Sequence, residues 1–185
     1  MTSSKKAFTL IELLIVIAIL GILMSLLFPA VNSAIDSARK AQAKNDVTQI
    51  ATAVVAYETE YGRLPIQGTS DKLQSLDKAL VEILAGVPGN TDNPRRISFL
   101  EVQAAKKGKS GTNSNGDFVD PWGNVYQVMF DLDDNTLSVT AGKLSAAGSD
   151  TISPLRKKVA VFNFPVSSAK NTDPNFYRKA VRSWE

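Results

Sequence analysis

The sequence contains no cysteine and no histidine. Without cysteine the chain can form no disulfide, offers no thiolate nucleophile and has no cysteine-rich zinc site. Without histidine it lacks the most common general base and the most common zinc ligand. Carboxylate-pair and serine–lysine chemistry stay formally open, yet the two absences lead us to expect no enzyme. They leave the compartment undecided, because an exported domain of this size is stable without disulfides.

The chain also has little surplus charge of either sign. It has 21 Lys and Arg residues against 18 Asp and Glu residues, a net charge of +3. Loss of residues 1–7 with Lys5 and Lys6 would leave 19 against 18, or +1. This surplus is a weak argument for a polyanionic partner, and we expect no nucleic-acid ligand. The sequence has three basic clusters, which we interpret as solvated surface and not as a patch that binds DNA or acidic neighbours in a filament: Arg95–Arg96, Lys106–Lys109 and Arg156–Lys158.

A charge-free run from Leu13 to Val31 predicts a membrane-spanning helix. Its nineteen residues, at about 1.5 Å each, span roughly 28 Å, close to the hydrocarbon core of a bilayer. Lys5 and Lys6 precede the run, so we expect a cytoplasmic N-terminus and an exported remainder. A removed secretory signal or a simple signal anchor would be the alternatives. Neither explains Glu12, because a charge at bilayer depth costs about 2.5–3.5 kcal/mol.

The stretch FTLIELLIVIAILGIL, behind a short basic leader and a small residue, resembles the class III leader region of type IV pilins and type II secretion pseudopilins. The resemblance implies a leader of residues 1–7, cut by a prepilin peptidase between Ala7 and Phe8, with N-methylation of Phe8. The family usually has Gly before the cut, where this chain has Ala7, a similarly small residue. The resemblance also implies that Glu12 meets the N-terminal amine of a neighbouring subunit. Each charge is costly alone in an apolar layer and tolerable when paired.

The helical pattern continues beyond the membrane run. Apolar residues recur at spacings of three and four from Val31 to Tyr61, which predicts one helix from about Thr9 to Tyr61. We expect residues 8–31 to form a transmembrane and assembly portion. Residues 32–62 would form its extracytoplasmic continuation, packed on a globular domain.

Two residues interrupt the apolar half of this helix, and two end it. Pro29 removes a main-chain hydrogen bond and is predicted to kink or locally open the helix. Gly21 would allow close approach of another helix. Gly62 and Pro65 are typical of a helix C-terminus.

Residues 63–185 are predicted to form a small head, which makes the fold class α+β: a long N-terminal helix carrying a short helix and an antiparallel sheet of about three strands. We predict the short helix from about Leu73 to Ala85, a short strand in ISFLEV, and a flexible loop in KKGKSGTNSNGD. VYQVMFD and TLSVT are predicted to pair as a hairpin, and KKVAVFNF supplies a third strand. The C-terminal stretch is predicted to be mostly loop, with three apolar anchors: Phe176, Val181 and Trp184.

The head carries one further resemblance. EYGRLP, DPWGN and a C-terminal SW, in this order, look like the major pseudopilins of type II secretion systems. Asp120, Pro121, Trp122 and Gly123 suit a type I turn, with Asp at i, Pro at i+1 and Gly at i+3.

The family typically binds calcium in the loop before the C-terminal tryptophan. Here the corresponding stretch, PVSSAKNTDPNFYRKAV, offers only one carboxylate, Asp173, whereas calcium prefers six to eight oxygens with several charges. We therefore carry over no metal site and expect no cofactor. A hairpin turn is favoured over a calcium loop for DLDDN, residues 131–135.

The predicted function is that of a structural subunit of a helical homopolymer, a pseudopilus serving type II secretion, with no catalytic activity. The resemblance implies four partners: further copies of the chain, the prepilin peptidase, other pseudopilins and an inner-membrane assembly platform. It implies a single pass through the bacterial inner membrane, followed by a periplasmic or surface filament. A type IV pilus subunit for adhesion, motility or DNA uptake stays open. So does an exported binding domain held by an uncleaved signal anchor.

Overall fold

The computed structural model separates the chain into two compact units, Met1–Ala38 and Arg39–Glu185. The structure describes the following residues: 10–68, 70, 72–107, 109–133, 137, 156–163 and 181–183.

Helix α1 spans Leu10–Tyr61 and belongs to both units. It begins at the first described residue and ends where the sequence predicts. Gly62 adopts a φ of 66°, and its N–H donates to the carbonyl of Glu58 at 2.7 Å. The left-handed conformation is open to glycine at little cost, so Gly62 stops the helix as predicted.

Within the second unit, one face of α1 forms part of the core. The buried residues recur at spacings of three and four, as the amphipathic pattern predicts, and the head packs onto them: Ala43, Val47, Ile50, Ala53, Val54 and Tyr57.

The head contains a short helix and two antiparallel sheets. Its three-stranded sheet has the order β1-β4-β5, and β2 pairs with β3. The long helix with an α+β head is thus confirmed. In chain order the elements are β1 Lys72–Ser75, α2 Lys78–Ala85, β2 Gly111–Thr112, β3 Phe118–Val119, β4 Gln127–Phe130 and β5 Val159–Phe162.

The predicted start of the short helix at Leu73 is wrong, because residues 72–75 form β1. Helix α2 begins only after Asp77, whose carboxylate accepts a hydrogen bond from the N–H of Leu80 at 3.1 Å. Leu76 lies within the predicted helix. It is buried in an extended segment instead, and its N–H donates to the carbonyl of Tyr126.

The predicted strand in ISFLEV is also wrong. The N–H groups of Phe99 and Leu100 both donate to the carbonyl of Leu84, at 2.8 and 3.0 Å. The carbonyl of Leu84 lies in the last turn of α2, where no N–H of the same helix can donate to it. The two N–H groups therefore supply its hydrogen bonds.

The predicted hairpin between VYQVMFD and TLSVT is wrong as well, since β1 and β5 occupy both edges of β4. The TLSVT segment lies outside the described residues except for Leu137, which is buried. The third strand in KKVAVFNF is confirmed as β5. Val181 packs against the core as expected, whereas Phe176 and Trp184 lie outside the described residues.

Candidate assembly site

The N-terminal part of α1 exposes apolar side chains on all sides. Every large hydrophobic residue from Leu10 to Ile35 is between 45% and 84% exposed. A helix that is apolar all round needs an apolar environment, either lipid or other protein. In the described part of the chain, α1 is the one helix long and apolar enough to cross a membrane.

Glu12 lies in the first turn of this helix, among exposed leucine and isoleucine side chains. Ala7 and Phe8, the residues of the predicted cut, lie outside the described residues.

Helix α1 continues without a break through Gly21 and Pro29. A side chain at Gly21 would find no heavy atom within 4 Å, so the helix surface is open there. Pro29 has no N–H, and the carbonyl of Ser25 therefore lacks its usual helical donor. The hydroxyl of Ser25 donates to the carbonyl of Ile22 at 2.7 Å. The kink at Pro29 and close helix approach at Gly21 stay predictions.

In the head, Asp120, Pro121, Trp122 and Gly123 form the turn that the sequence predicts. The N–H of Gly123 donates to the carbonyl of Asp120 at 3.0 Å, which is the bond between residues i and i+3 of a β-turn. Asp120 and Pro121 are buried, and Trp122 is half-buried.

The carboxylate of Asp120 is the polar centre of this corner. One oxygen accepts from the N–H groups of Trp122 and Asn124, both at 2.8 Å. The other accepts from the side-chain amides of Asn124 and Asn163, at 3.4 and 2.9 Å. A buried carboxylate is tolerated when several donors surround it, so this charge is satisfied within the chain.

Asn163 extends the corner to the C-terminal segment. It is fully buried, its side-chain oxygen accepts from the N–H of Val181 at 2.8 Å, and its own N–H donates to the carbonyl of Val181. The hydroxyl of Ser183 accepts from the N–H of Val161 at 3.0 Å. Residues 181–183 are therefore bonded to β5, and the serine of the SW motif has a defined structural role.

Asp46 joins α1 to the head core. The hydroxyl of the fully buried Tyr126 donates to its carboxylate at 2.8 Å. Burial raises the pKa of Asp46, the hydrogen bond from Tyr126 opposes that rise, and the charge of Asp120 adds to it. Burial also raises the pKa of Tyr126, which keeps the phenol protonated as a donor.

A second polar centre fixes the segment after α2. The buried side chain of Asn93 donates to the carbonyls of Ile83 and Ile97, at 2.7 and 2.8 Å. Its oxygen accepts from the hydroxyl of Tyr61 at 2.7 Å. The ring of Tyr57 packs beside that of Tyr61, with centroids 4.7 Å apart.

Sequence analysis missed Asp46, Asn93 and Asn163. The available signal was a polar residue next to buried apolar neighbours, which is clearest at Asn163, directly after the apolar β5.

Two of the three basic clusters contain a residue that forms an ion pair with α1. Arg95 pairs with Glu60, and the Lys158 ammonium lies 2.8 Å from a carboxylate oxygen of Glu58. The lysines of the range 106–109 are exposed and have no carboxylate within 4 Å among the described residues. The described residues of all three clusters are exposed, as the sequence analysis favoured, and one residue in each of two clusters pairs with a carboxylate on α1.

In the described part of the chain, no group of three Asp, Glu, His or Cys side chains could hold a metal ion. Asp173 and the loop considered for calcium lie outside that part.

An apolar N-terminal helix with an acid in its first turn, carrying a small α+β head, defines a pilin-like class of protein. The comparisons agree. Residues 2–28 match the family described as the prokaryotic N-terminal methylation motif. No solved structure gives a significant match.

Three curated relatives are named type II secretion system core protein G. The one from Pseudomonas aeruginosa is 34% identical over 125 residues, 68% of this chain and 73% of the relative. Those from Aeromonas hydrophila and Escherichia coli are 30% and 27% identical, and the matches cover 68% and 69% of this chain and 73% and 74% of the relatives. The chain belongs to the family of the type II secretion system core protein G, the major pseudopilins. The methylation motif and the apolar helix suggest membrane anchoring.

Proposed function

We propose that the protein is a structural subunit of a pseudopilus that serves type II secretion. The main support is the combination of a methylation motif at residues 2–28 with a helix whose apolar side chains are exposed from Leu10 to Ile35. Such a surface favours burial in lipid before assembly and against like helices afterwards. The head has no apolar surface of this extent among its described residues.

Assembly then depends on Glu12 and the new N-terminus. A prepilin peptidase cuts between Ala7 and Phe8, and Phe8 becomes an N-methylated, positively charged amine. In the filament this amine pairs with Glu12 of a neighbouring subunit. Two charges that are costly alone in an apolar layer become tolerable together, which favours the packed state and sets the axial register.

The remaining partners follow from the same proposal. The contact joins different surfaces of successive copies and does not close, which is the geometry of a filament. Other pseudopilins and an inner-membrane assembly platform complete the machine. The N-terminus is cytoplasmic before cleavage, and the head is extracytoplasmic.

The first test is the intact mass of the protein from membranes of cells that contain its native peptidase. We expect the loss of residues 1–7 and a gain of about 14 Da from one methyl group on Phe8. Cells without the peptidase should yield the uncut chain. The variant Ala7→Gly places the family's usual residue before the cut. It should be processed at least as completely as the original chain.

An uncut chain in cells with active peptidase would contradict the proposal. The exported domain held by a signal anchor would then become the better hypothesis. If processing occurs, deletion of the gene decides the remaining question: secretion should fail while motility and DNA uptake persist. The reverse result would assign a type IV pilus.

A further inference from the structure

The exposed lysines lie in a segment that the sequence predicts to be a flexible loop. The structure instead forms a tight hairpin, here called the lysine hairpin, from Lys106 to Lys109. The N–H of each of these two residues donates to the carbonyl of the other, at 3.1 and 3.2 Å. Lys107 has a φ of 54° and Ser110 a φ of 55°, a conformation that is uncommon for residues other than glycine.

The base of the hairpin is held against the head. The N–H of Ser110 donates to the carbonyl of Asp120 at 3.0 Å, and the N–H of Thr112 donates to the carbonyl of Gln103 at 2.7 Å. At Gly111, a Cβ atom would lie 2.3 Å from the oxygen of Gln103, so this close approach requires glycine. Three ammonium groups are therefore displayed from a braced main chain.

The charge of this hairpin is not neutralised by the described part of its own chain. The other basic clusters use carboxylates on α1: Arg95 pairs with Glu60 and Lys158 with Glu58. Three neighbouring lysines repel one another, and a braced hairpin keeps them together. A partner that supplies carboxylates would remove this repulsion.

The opposite end of the sheet supplies an exposed acid. Ser110, the residue after the lysine hairpin, donates to the carbonyl of Asp120, which lies in the turn that precedes β4. Asp133 follows the other end of β4, is exposed, and has no cation within 4 Å among the described residues. The four residues of β4 span about 13 Å, so the two charges are displayed at separate ends of one head.

We propose that the lysine hairpin of one copy binds the exposed carboxylate of Asp133 in the next copy in the polymer. This inference rests on the proposed function and names a contact between heads in addition to the helices. Opposite charges at opposite ends of the sheet give a head-to-tail contact, which continues from copy to copy. A salt-dependent attraction of this kind guides register and rate of association.

The test exchanges the charges in the full-length chain, produced in cells with the assembly machinery. The variants Lys106→Glu with Lys109→Glu, and Asp133→Lys alone, should each reduce filament number roughly tenfold at unchanged protein level. Lys107 is retained because of its left-handed backbone. All three substitutions combined should restore filaments to near the original number. Arg156→Glu with Lys157→Glu is the matched control, with the same charge change at other exposed residues, and should assemble normally.

The absence of cysteine allows a second readout. Chains with Lys109→Cys and chains with Asp133→Cys, produced together, should form dimers with a short bifunctional maleimide. Each chain alone should not. If the original chain forms no filaments, the proposed function fails, and cross-linking still decides whether the heads make this contact.

Normal assembly of the charge-reversal variants, or failure of the combined variant to restore filaments, would overturn the inference. Loss of DNA binding with unchanged filaments would assign the hairpin to nucleic acid and would likewise overturn it. Absence of the mixed cross-link would also count against the contact.

Discussion

The two ends of α1 differ in how far their apolar side chains are exposed to solvent. From Leu10 to Ile35 they are exposed on every face, whereas from Ala43 to Tyr57 they form one buried face and the remaining faces are mostly polar. The second pattern is that of a helix whose partner is its own head. The first is that of a helix whose partner is lipid or another chain. A single helix thus contains one completed interface and one that needs a different molecule.

In the proposed filament, two carboxylates differ in a similar way. Asp120 is fully buried and receives hydrogen bonds from two main-chain N–H groups and two side-chain amides of its own chain. Glu12 lies among side chains that must themselves be covered by lipid or protein. In the proposed filament its cation comes from another subunit. Substitutions at these two acids should therefore affect different properties.

The largest effect is expected for Glu12→Ala. Filament number should fall by more than roughly tenfold, because the buried amine of the neighbouring subunit would lose its only partner of opposite charge in the apolar layer. Membrane insertion should persist, since the substitution removes a charge from the spanning segment. Filament counts on cells and the membrane fraction of the protein measure the two properties.

The thermal unfolding of the head should be unchanged in this variant, measured on the chain in detergent. Glu12→Asp is the control that retains the charge and should keep part of the assembly. If Glu12→Ala forms normal filaments, the two carboxylates do not differ in the way proposed.

Sequence analysis predicted the long helix α1 well, for a physical reason. A charge-free run is recognised without knowledge of tertiary contacts, and the boundary at Tyr61 follows from the local signals Gly62 and Pro65. The secondary-structure elements of the head were harder to predict, because its strands are only two to four residues long. Over such lengths, alternation and helical spacing cannot be separated.

The errors in the head arose from long-range contacts. Leu76 lies within the predicted helix, yet its N–H donates to the carbonyl of Tyr126, fifty residues further along the chain. β4 was predicted to pair with the next apolar stretch, but its neighbours are β1 and β5. The DPWG turn was predictable because its chemistry is local. The hydrogen bond from Asn163 to Asp120 was not, since Asn163 lies far away in the sequence.

The next largest effect is expected for Asp120→Ala. It leaves two main-chain N–H groups and the amide of Asn163 without their acceptor in a buried corner. We expect the free energy of unfolding to fall by about 2–4 kcal/mol. Urea denaturation of the detergent-solubilised chain measures the loss.

Asp120→Asn should lose less, because one side-chain oxygen can still accept from Trp122 and Asn124. Asp133→Ala is the matched control at an exposed acid and should change stability by less than about 0.5 kcal/mol. Equal losses at Asp120 and Asp133 would contradict the central role of the corner.

A smaller effect is expected at Asp46. Asp46→Ala leaves the buried hydroxyl of Tyr126 without its acceptor, and the free energy of unfolding should fall by about 1–3 kcal/mol. Asp46→Asn keeps an accepting oxygen and removes a half-buried charge. It should therefore be close to neutral or slightly stabilising at pH 7. The two variants are compared in the same denaturant series.

The pH dependence gives the sign of the Asp46 contribution. Its folded-state pKa is raised above the ordinary value of 3.8, so the folded state holds the proton more tightly than the unfolded state does. Stability from this group is then greatest below pH 3.8 and falls as pH rises through the folded-state pKa. Asp46→Asn should lose this part of the pH dependence. An unchanged profile would mean that the carboxyl is not desolvated.

The smallest effect is expected for the ion pair between Lys158 and Glu58. The two side chains are 54% and 23% exposed, so water and salt screen their attraction. A double-mutant cycle with Lys158→Ala and Glu58→Ala should give a coupling energy below about 1 kcal/mol, decreasing further in 1 M salt. A coupling above about 2 kcal/mol that salt does not change would mean that this pair resembles the enclosed corner at Asp120. The expectation that surface ion pairs contribute less to stability than the buried polar groups of the head would then be wrong for this pair.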